Sequence, residues 1–294
     1  MLKKVDNGIL FMLSSALISA LNGALTKILT QDISALEVVF FRNFIGIFLI
    51  LYALKHTPAK LKGGKFHLLF LRGFFGFTAM ILFFYTIAQI PLGEAITLNK
   101  TSPFFVTILA FILLGEHLSL RTALALIIGF FGTVLITKLF GMAFSYIHFL
   151  GLLGGFFAAA AYTTIKKIKD IYDSRIIVLS FVFVGTVLPV LLFIVANFVE
   201  VSDEFAFLFP VFIIPKSSEI WILIAFMALI STLSQWLLTK AYSSKNLSII
   251  GVISYTNIPF AIGFGYLLGD HFPDILTFMG IVLIIFGGIL VSKK

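Results

Sequence analysis

Two basic residues, Arg42 and Lys100, lie inside long apolar stretches of the sequence. A charge in hydrocarbon costs about 3 kcal/mol on insertion scales, so such residues usually bind a compensating group. Each lies about seven residues, or roughly 10 Å, into its predicted helix from the same side. Two cations at one depth can bind one anionic substrate. Two alternatives stay open: both side chains are long enough to snorkel outward, and Glu37 can pair with Arg42 as a structural brace.

Uncharged polar side chains recur in the apolar stretches at helical spacing. The first stretch has one polar face, at spacings of four, three and four residues, formed by Ser15, Ser19, Asn22 and Thr26. Lone Ser or Thr residues commonly serve helix packing, whereas amides are costly to bury and favour the lining of a polar cavity. Trp236 or Tyr255 can stack on a flat substrate. The predicted substrate-binding residues are Lys100, Arg42, Asn22, Tyr85, Gln89, Asn99, Gln235, Trp236, Tyr255 and Asn257.

Proline and glycine mark predicted hinges in two of the apolar stretches. Proline inside a helix leaves a carbonyl unbonded and bends the axis, and glycine lowers helix stiffness. Pro103 and Pro259, with Gly263 and Gly265, are therefore predicted gating residues. The alternative is that these residue types are simply frequent in membrane helices.

The composition requires a solvent other than water for these elements. Of 294 residues, 60% are apolar and 12% are charged, and the mean hydropathy is +1.13. Globular chains have roughly 45–50% apolar and 25% charged residues. A water-soluble surface cannot be built from this composition, which excludes a soluble enzyme, a nucleic-acid-binding protein and a disordered chain. The absence of cysteine excludes disulfide scaffolds and thiolate metal sites.

The apolar stretches have the length of membrane spans. About 20 apolar residues cross the roughly 30 Å of hydrocarbon in a bilayer. We predict an all-α integral membrane protein with ten transmembrane helices, at residues 7–28, 36–54, 67–89, 93–115, 120–138, 146–165, 174–198, 219–240, 246–269 and 274–292. Sixteen Lys and Arg residues, Arg72 included, fall in segments on one side and three on the other. This bias predicts that both termini are cytoplasmic.

An internal repeat relates the two halves of the chain. Leu-Leu-Gly-Glu-His at residues 113–117 returns as Leu-Leu-Gly-Asp-His at 267–271, and residues 131–135 match 286–290 one position further on. Each half then contains five helices, and because five is odd the second half enters the membrane from the opposite side. We predict two inverted five-helix repeats, residues 1–138 and 146–294. Chance likeness of apolar helices is the alternative.

Several short motifs resemble a known family. They are Glu-Val-Val-Phe-Phe-Arg at residues 37–42, Leu-Arg-Gly at 71–73, Ser-Pro-Phe-Phe at 102–105 and Leu-Gly-Glu at 114–116. With the ten-span repeat they resemble the EamA branch of the drug/metabolite transporter superfamily, nearest to S-adenosylmethionine carriers and the organic-anion group of solute-carrier relatives. The resemblance implies that spans 1, 3, 4, 6, 8 and 9 line a central cavity while spans 5 and 10 buttress it.

No catalytic, cofactor-binding or metal-binding motif accompanies these features. The sequence has no HExxH, GxxxxGK[ST] or GxSxG string, so ATP hydrolysis by this chain is not expected. The Gly-acid-His triplets at residues 115–117 and 269–271 fall on opposite membrane faces and are expected to be helix ends. No carboxylate lies near the predicted midplane, which disfavours proton coupling and leaves facilitated flow or exchange.

The sequence therefore predicts a secondary transporter of a small polar organic metabolite, anionic or zwitterionic, such as an organic acid, an amino acid or an S-adenosylmethionine-like compound. Alternating access between the halves is the expected mechanism. The expected partners are the small-molecule substrate and the lipid bilayer of a bacterial cytoplasmic (inner) membrane, without nucleic acid. A homodimer through spans 5 or 10 competes with intrachain buttressing by the same faces. The alternative function is a lipid flippase or an intramembrane lipid-handling protein.

Overall fold

The computed structural model describes residues 7–57, 59, 63–114, 120–137, 145–199, 201–242 and 253–292. All regular secondary structure in these ranges is helical. The α-helices are α1 (Asn7–Leu29), α2 (Ala35–His56), α3 (Phe66–Gln89), α4 (Leu92–Asn99), α5 (Ser102–Leu114), α6 (Leu120–Thr137), α7 (Tyr146–Ile168), α8 (Ser174–Ala196), α9 (Ser218–Tyr242), α10 (Asn257–Leu267) and α11 (Ile275–Ser292), and a 3₁₀ turn spans Ala206–Leu208.

Six of these helices are long and apolar enough to cross a bilayer: α1, α2, α3, α7, α8 and α9. Shorter apolar stretches occur in α6 (Ala123–Ile136) and α11 (Ile275–Leu290). Large apolar side chains point away from the protein interior, with Phe48 58% and Ile222 67% exposed. An exposed apolar surface of this kind requires lipid rather than water around it. The described part of the chain is all-helical and has the surface of a membrane protein.

The continuous helix predicted for residues 93–115 is two helices. α4 ends at Asn99, and α5 begins at Ser102 with Pro103 in its first turn. Proline is suited to a helix start because it has no N–H to donate. At the break the Thr101 hydroxyl donates to the Leu98 carbonyl at 2.6 Å. Gly155 of α7 faces this break so closely that a Cβ there would lie 2.7 Å from the Thr101 hydroxyl, so α7 packs directly on it.

A similar interruption precedes α10. Within the described residues a helical turn at 253–254 is followed by a non-helical turn at 255–256, and α10 begins at Asn257 with Pro259 in its first turn. The remainder of the predicted ninth span, residues 246–252, lies outside the described residues. The two helices that carry the predicted gating prolines are thus interrupted immediately before the proline.

Four helix pairs pack along one another: α1 with α9, α3 with α7, α2 with α8, and α6 with α11. The α6–α11 contact is made through glycine. A Cβ on Gly132 would lie 2.8 Å from the Gly280 carbonyl oxygen, and one on Gly280 would lie 2.6 Å from the Gly132 oxygen. The small-residue faces of α6 and α11 are therefore used within the chain, and a dimer through them would have to displace this contact.

Interhelical contacts define the two ends of the bundle. At the end called here the Lys27 end, Lys27 of α1 contacts the turn between α3 and α4 and the segment after α10. At the opposite Lys240 end, the Lys240 ammonium lies 5.4 Å from the Phe11 ring centroid. There Arg175, at the start of α8, also donates to the Thr57 carbonyl after α2 at 2.6 Å.

Candidate functional site

A cavity of about 110 Å³ lies in the centre of the bundle. Helices α1, α3, α7 and α9 form most of its wall, the α4–α5 break and α10 contribute the rest, and single residues come from α2 and α8. Among the described side chains, none from α6 or α11 belongs to this lining. The lining polar residues are Ser15, Ser19, Asn22, Arg42, Arg72, Asn99, Lys100, Tyr162, Ser234, Gln235 and Asn257. The family resemblance implies the same division between lining and buttressing helices. Arg42 of α2 and Phe181 of α8 line the cavity in addition to the implied spans.

The cavity extends toward the Lys240 end. Met12 lines it only five residues after the start of α1, and Leu238 lines it four residues before the end of α9. Arg72 and Tyr162 lie six residues from the ends of α3 and α7 that share this side. Toward the other end, Phe84 lies five residues before the end of α3 and Asn22 lies seven residues before the end of α1.

Three cationic side chains line the cavity. Arg42 is 4% exposed and Arg72 is 2% exposed, and Lys100 caps the end of α4 at the helix break. The central guanidinium carbons of Arg42 and Arg72 lie 5.5 Å and 4.8 Å from the centroid of the Phe181 ring, within cation–π range. Because both distances share that centroid, the two carbons are at most about 10 Å apart. The lining contains two guanidinium groups against one aromatic ring.

Arg42 donates from Nη1 to the Asn43 side-chain oxygen at 3.1 Å and touches the Met80 sulfur. No hydrogen-bond acceptor for its Nε is found among the described residues. The proposed brace with Glu37 is not formed. Glu37 instead accepts from the Ser34 backbone N–H at 2.8 Å, in a capping box at the start of α2, and from the Ile213 N–H at 2.5 Å. A glutamate three residues after the N-cap turns back to that cap, which takes its carboxylate away from Arg42.

Arg72 corrects an expectation from the sequence. The sequence predicts that Arg72 is one of the basic residues outside the membrane. In the structure it lies about one and a half turns into α3 and is buried. Gly76, one turn further along α3, makes room for it, since a Cβ there would overlap the Arg72 Nη1 and would lie 2.6 Å from the Phe181 ring. The four-residue spacing of Arg72 and Gly76 is the sequence signal that could have indicated this burial. Without Arg72, the excess of Lys and Arg residues on one side of the membrane remains.

The amide residues are also brought together at the cavity. Six of the ten predicted substrate-binding residues line it: Lys100, Arg42, Asn22, Asn99, Gln235 and Asn257. The side-chain oxygens of Asn22 and Asn257 find no donor among the described residues. Since buried polar atoms are usually paired, these oxygens are available to a hydroxyl or N–H donor from a bound molecule. Ser15 and Ser234 pair with each other across α1 and α9 at 3.2 Å between hydroxyl oxygens.

The other four predicted residues lie elsewhere. The Tyr85 hydroxyl lies 2.8 Å from the Tyr146 hydroxyl, and its ring stacks on Phe207. Gln89 is exposed at the end of α3. The Trp236 ring lies 3.8 Å below the Lys240 ammonium, outside the cavity lining. Tyr255 is buried against Gly288 of α11. The aromatic residues expected to stack on a flat substrate are thus packed on protein.

The predicted gating glycines differ from one another. A Cβ on Gly263 would meet nothing within 4 Å, whereas one on Gly265 would lie 2.7 Å from the Asp270 carboxylate. Gly265 therefore borders a contact at the Lys27 end.

That contact is an ion pair between Lys27 and Asp270. Lys27 also donates to the Ile90 carbonyl at 3.2 Å, and Asp270 accepts from the Leu92 backbone N–H at 2.8 Å, at the start of α4. A carboxylate at a helix N-terminus is favoured by the helix dipole. Asp270 was expected only to end a helix, because nothing local in the sequence indicates its partner 243 residues away. Its repeat counterpart Glu116 lies outside the described residues.

The chain belongs to the EamA-like transporter family, as residues 37–42 and 71–73 predicted. The family profile matches residues 6–138. The chain is 30% identical to the pseudopaline exporter CntI of Pseudomonas aeruginosa (strain UCBPP-PA14), over 98% of this chain and 97% of the exporter. It is 26% identical to the S-adenosylmethionine uptake transporter of Rickettsia prowazekii (97% and 92% covered). It is 25% identical to human solute carrier family 35 member G1 (95% and 76% covered).

A solved crystal structure shares the fold. It matches with a TM-score of 0.64 at 15% identity, over 97% of this chain and 96% of that chain. At this identity the likeness concerns the fold alone. The relatives are transporters of small molecules, and the chain is a membrane transporter of that class.

Proposed function

We propose that this protein is a secondary carrier of a small organic anion or zwitterion, working by alternating access as a facilitator or exchanger. The observation that carries the proposal is the central cavity, in which Arg42, Arg72 and Lys100 line a wall with amide side chains. Buried cations at membrane depth are costly, about 3 kcal/mol each on insertion scales, and mark substrate pathways. An anionic group of the substrate offsets that cost while it is bound.

The proposed halves are residues 1–138 and 146–294, related as inverted repeats. If the halves are exchanged, the α1–α9 pair becomes the α7–α3 pair, while α2–α8 and α6–α11 map onto themselves. The interruptions before Pro103 and Pro259 fall at corresponding places. These correspondences support ten crossings in two oppositely inserted bundles. The family match over residues 6–138 covers nearly all of the first proposed half.

The described arrangement corresponds to one state of the proposed cycle. On α1 and α9 the cavity lining reaches close to the Lys240 end, and the Lys27–Asp270 ion pair joins the helices at the other end. Basic residues such as Lys55, Lys167 and Arg175 cluster at the Lys240 end, so the positive-inside rule assigns it to the cytoplasm. We assign this state as inward-facing, with both termini cytoplasmic, in a bacterial inner membrane.

The relatives support a metabolite-sized substrate. One is named an exporter of pseudopaline and another an uptake transporter of S-adenosylmethionine, so their names state opposite directions of transport. If two equivalent halves exchange their conformations, the same fold can transport in either direction.

Counterflow into proteoliposomes tests this function. Purified protein is reconstituted, loaded with one member of a panel of amino acids, organic acids, nucleosides and S-adenosylmethionine, and assayed for uptake of the labelled compound. We expect counterflow of an acidic or zwitterionic member, and Lys100→Met is expected to lower its kcat/KM at least about tenfold while leaving the melting temperature unchanged. Lys167→Gln, which removes an exposed charge at the Lys240 end, is the control.

Two outcomes would overturn this proposal. Scrambling of fluorescent phospholipid in the same vesicles, without counterflow of any solute, would favour the flippase alternative. Unchanged kinetics in Lys100→Met would remove Lys100 from the substrate site.

A further inference from the structure

We infer that the substrate carries at least two carboxylate groups, one bound by Arg42 and one by Arg72, on an apolar carbon spacer that lies along Phe181. This inference rests on the proposed carrier function and specifies the substrate class of the same cavity. It starts from the balance of charge in the lining, which the protein leaves strongly positive.

No acidic residue lines the cavity in the part of the chain that the structure describes. The partly buried carboxylates there lie at helix ends and already have partners. Glu37 caps α2, Asp270 pairs with Lys27, and Glu94 lies 3.9 Å from His148. Buried cations are normally paired, so a bound anion must supply the missing negative charge.

Arg72 has the most unused binding capacity. A guanidinium carries five N–H donors in a planar fork that matches a carboxylate in two parallel hydrogen bonds. Arg72 makes neither a hydrogen bond nor an ion pair with any described residue, although it is 2% exposed. Arg42 uses one of its donors on Asn43. Each guanidinium therefore still has N–H groups that can donate to a carboxylate.

A carboxylate bound in the planar fork of one guanidinium directs both of its oxygens to that group. A ligand with a single acid at Arg42 would leave Arg72 buried and unpaired, and an unpaired buried charge weakens binding. The space around the two guanidinium groups is walled by Met80, Phe84 and Phe181, with Ala79 and Ala158 nearby. Such walls suit a hydrocarbon spacer.

A matched series of five-carbon acids tests the inference. Thermal unfolding of the full chain in detergent is measured against glutarate, glutaramate and glutaramide, which share a skeleton and carry two, one and no carboxylates, and against tricarballylate. We expect glutarate and tricarballylate to raise the melting temperature at concentrations at least about tenfold lower than glutaramate, because the second acid pairs with a buried cation. Glutaramide should have no effect.

Variants of Arg72 test whether this residue binds the second carboxylate of the ligand. Arg72→Gln should bring the half-saturating concentrations of glutarate and glutaramate to within about twofold of each other, because the second acid of glutarate then loses its guanidinium partner. Arg72→Lys should restore part of the difference, because it restores charge without the planar fork. Lys167→Gln should leave the difference unchanged. The unliganded melting temperature of each variant identifies any that fail to fold.

Equal stabilisation by glutarate and glutaramate, or none by either polycarboxylate, would overturn the inference. Retention of the difference in a folded Arg72→Gln variant would do the same. If amino acids, nucleosides or S-adenosylmethionine show counterflow while the polycarboxylates do not stabilise the protein, the carrier function stands and the polycarboxylate assignment falls. Absence of counterflow for every solute, with stabilisation by glutarate intact, would instead count against the carrier function.

Discussion

Lys27 and Asp270 form an ion pair that joins the first and the last thirds of the chain at the Lys27 end of the bundle. Both side chains are largely buried, and the carboxylate also accepts from the Leu92 N–H. A partly buried pair with backbone partners on both sides is stronger than a solvated one. In a carrier that works by alternating access, this contact must break for the cavity to open at the Lys27 end.

Asp270→Asn should favour opening at that end. Loss of a partly buried charge pair costs the closed state about 1–3 kcal/mol, which raises the population of the open state roughly five- to 160-fold if it is a minor state. In a Ser19→Cys background, an impermeant thiol reagent added from the Lys27 side should then react faster. Asp274→Asn is the matched control, because Asp274 caps α11 through Thr277 and does not contact Lys27. Equal reaction rates in the two variants would show that the pair does not close the path.

Gly76→Ala should displace Arg72 from the cavity wall. The added Cβ would overlap Arg72 Nη1 and press on Phe181, at a cost of about 1–3 kcal/mol in unfolding free energy. The affinity for a dicarboxylate should fall at least about tenfold. Calorimetric titration and thermal unfolding measure the two effects. Gly154→Ala is the matched control, since its Cβ would lie 3.4 Å from the Leu82 side chain, an ordinary contact, and should leave affinity unchanged.

Asp173 provides a pH-dependent contribution outside the membrane. The side-chain hydrogen bond from Arg175 holds the pKa of the Asp173 carboxyl below its usual range. A lowered pKa in the folded state adds stability above the unfolded pKa of about 4, and that stability is lost as pH falls through the folded pKa. Asp173→Asn keeps a good N-cap for α8 while removing the charge. Its melting temperature should lie below wild type at pH 7 and approach it by pH 3. A difference that persists unchanged at pH 3 would contradict this origin.

The elements that local physics determines could be predicted from the sequence. Membrane spans need long apolar runs, so helices such as α2, α3 and α8 lie close to their predicted positions. The polar face of α1 follows from helical spacing alone, and Ser15, Ser19 and Asn22 do line the cavity. Lys100 and Arg42 stand out because a charge in an apolar run is costly wherever it points.

The remainder depends on contacts between distant segments. Arg72 lies near the start of a helix, where sequence reasoning assigns basic residues to the solvated side, and only the packing of α8 shows that it is buried. From the sequence, Glu37 can pair either with Arg42 or with the start of its own helix. In the structure the Ile213 N–H donates to the Glu37 carboxylate, which favours the second arrangement. The break at Lys100 and Thr101 requires α7 to pack against it. No local pattern encodes these choices.

Alternating access requires that one polar cavity opens to each side of the membrane in turn. The chain contains no cysteine, so Ser19→Cys in the cavity wall places a single thiol for an impermeant reagent added from either side of oriented vesicles. Without substrate, we predict that the thiol reacts with reagent from the Lys240 side only. With saturating substrate, we predict that reaction from the Lys27 side appears and that reaction from the Lys240 side slows. Equal reaction from both sides at once, unaffected by substrate, would contradict it, and so would a thiol that neither side reaches.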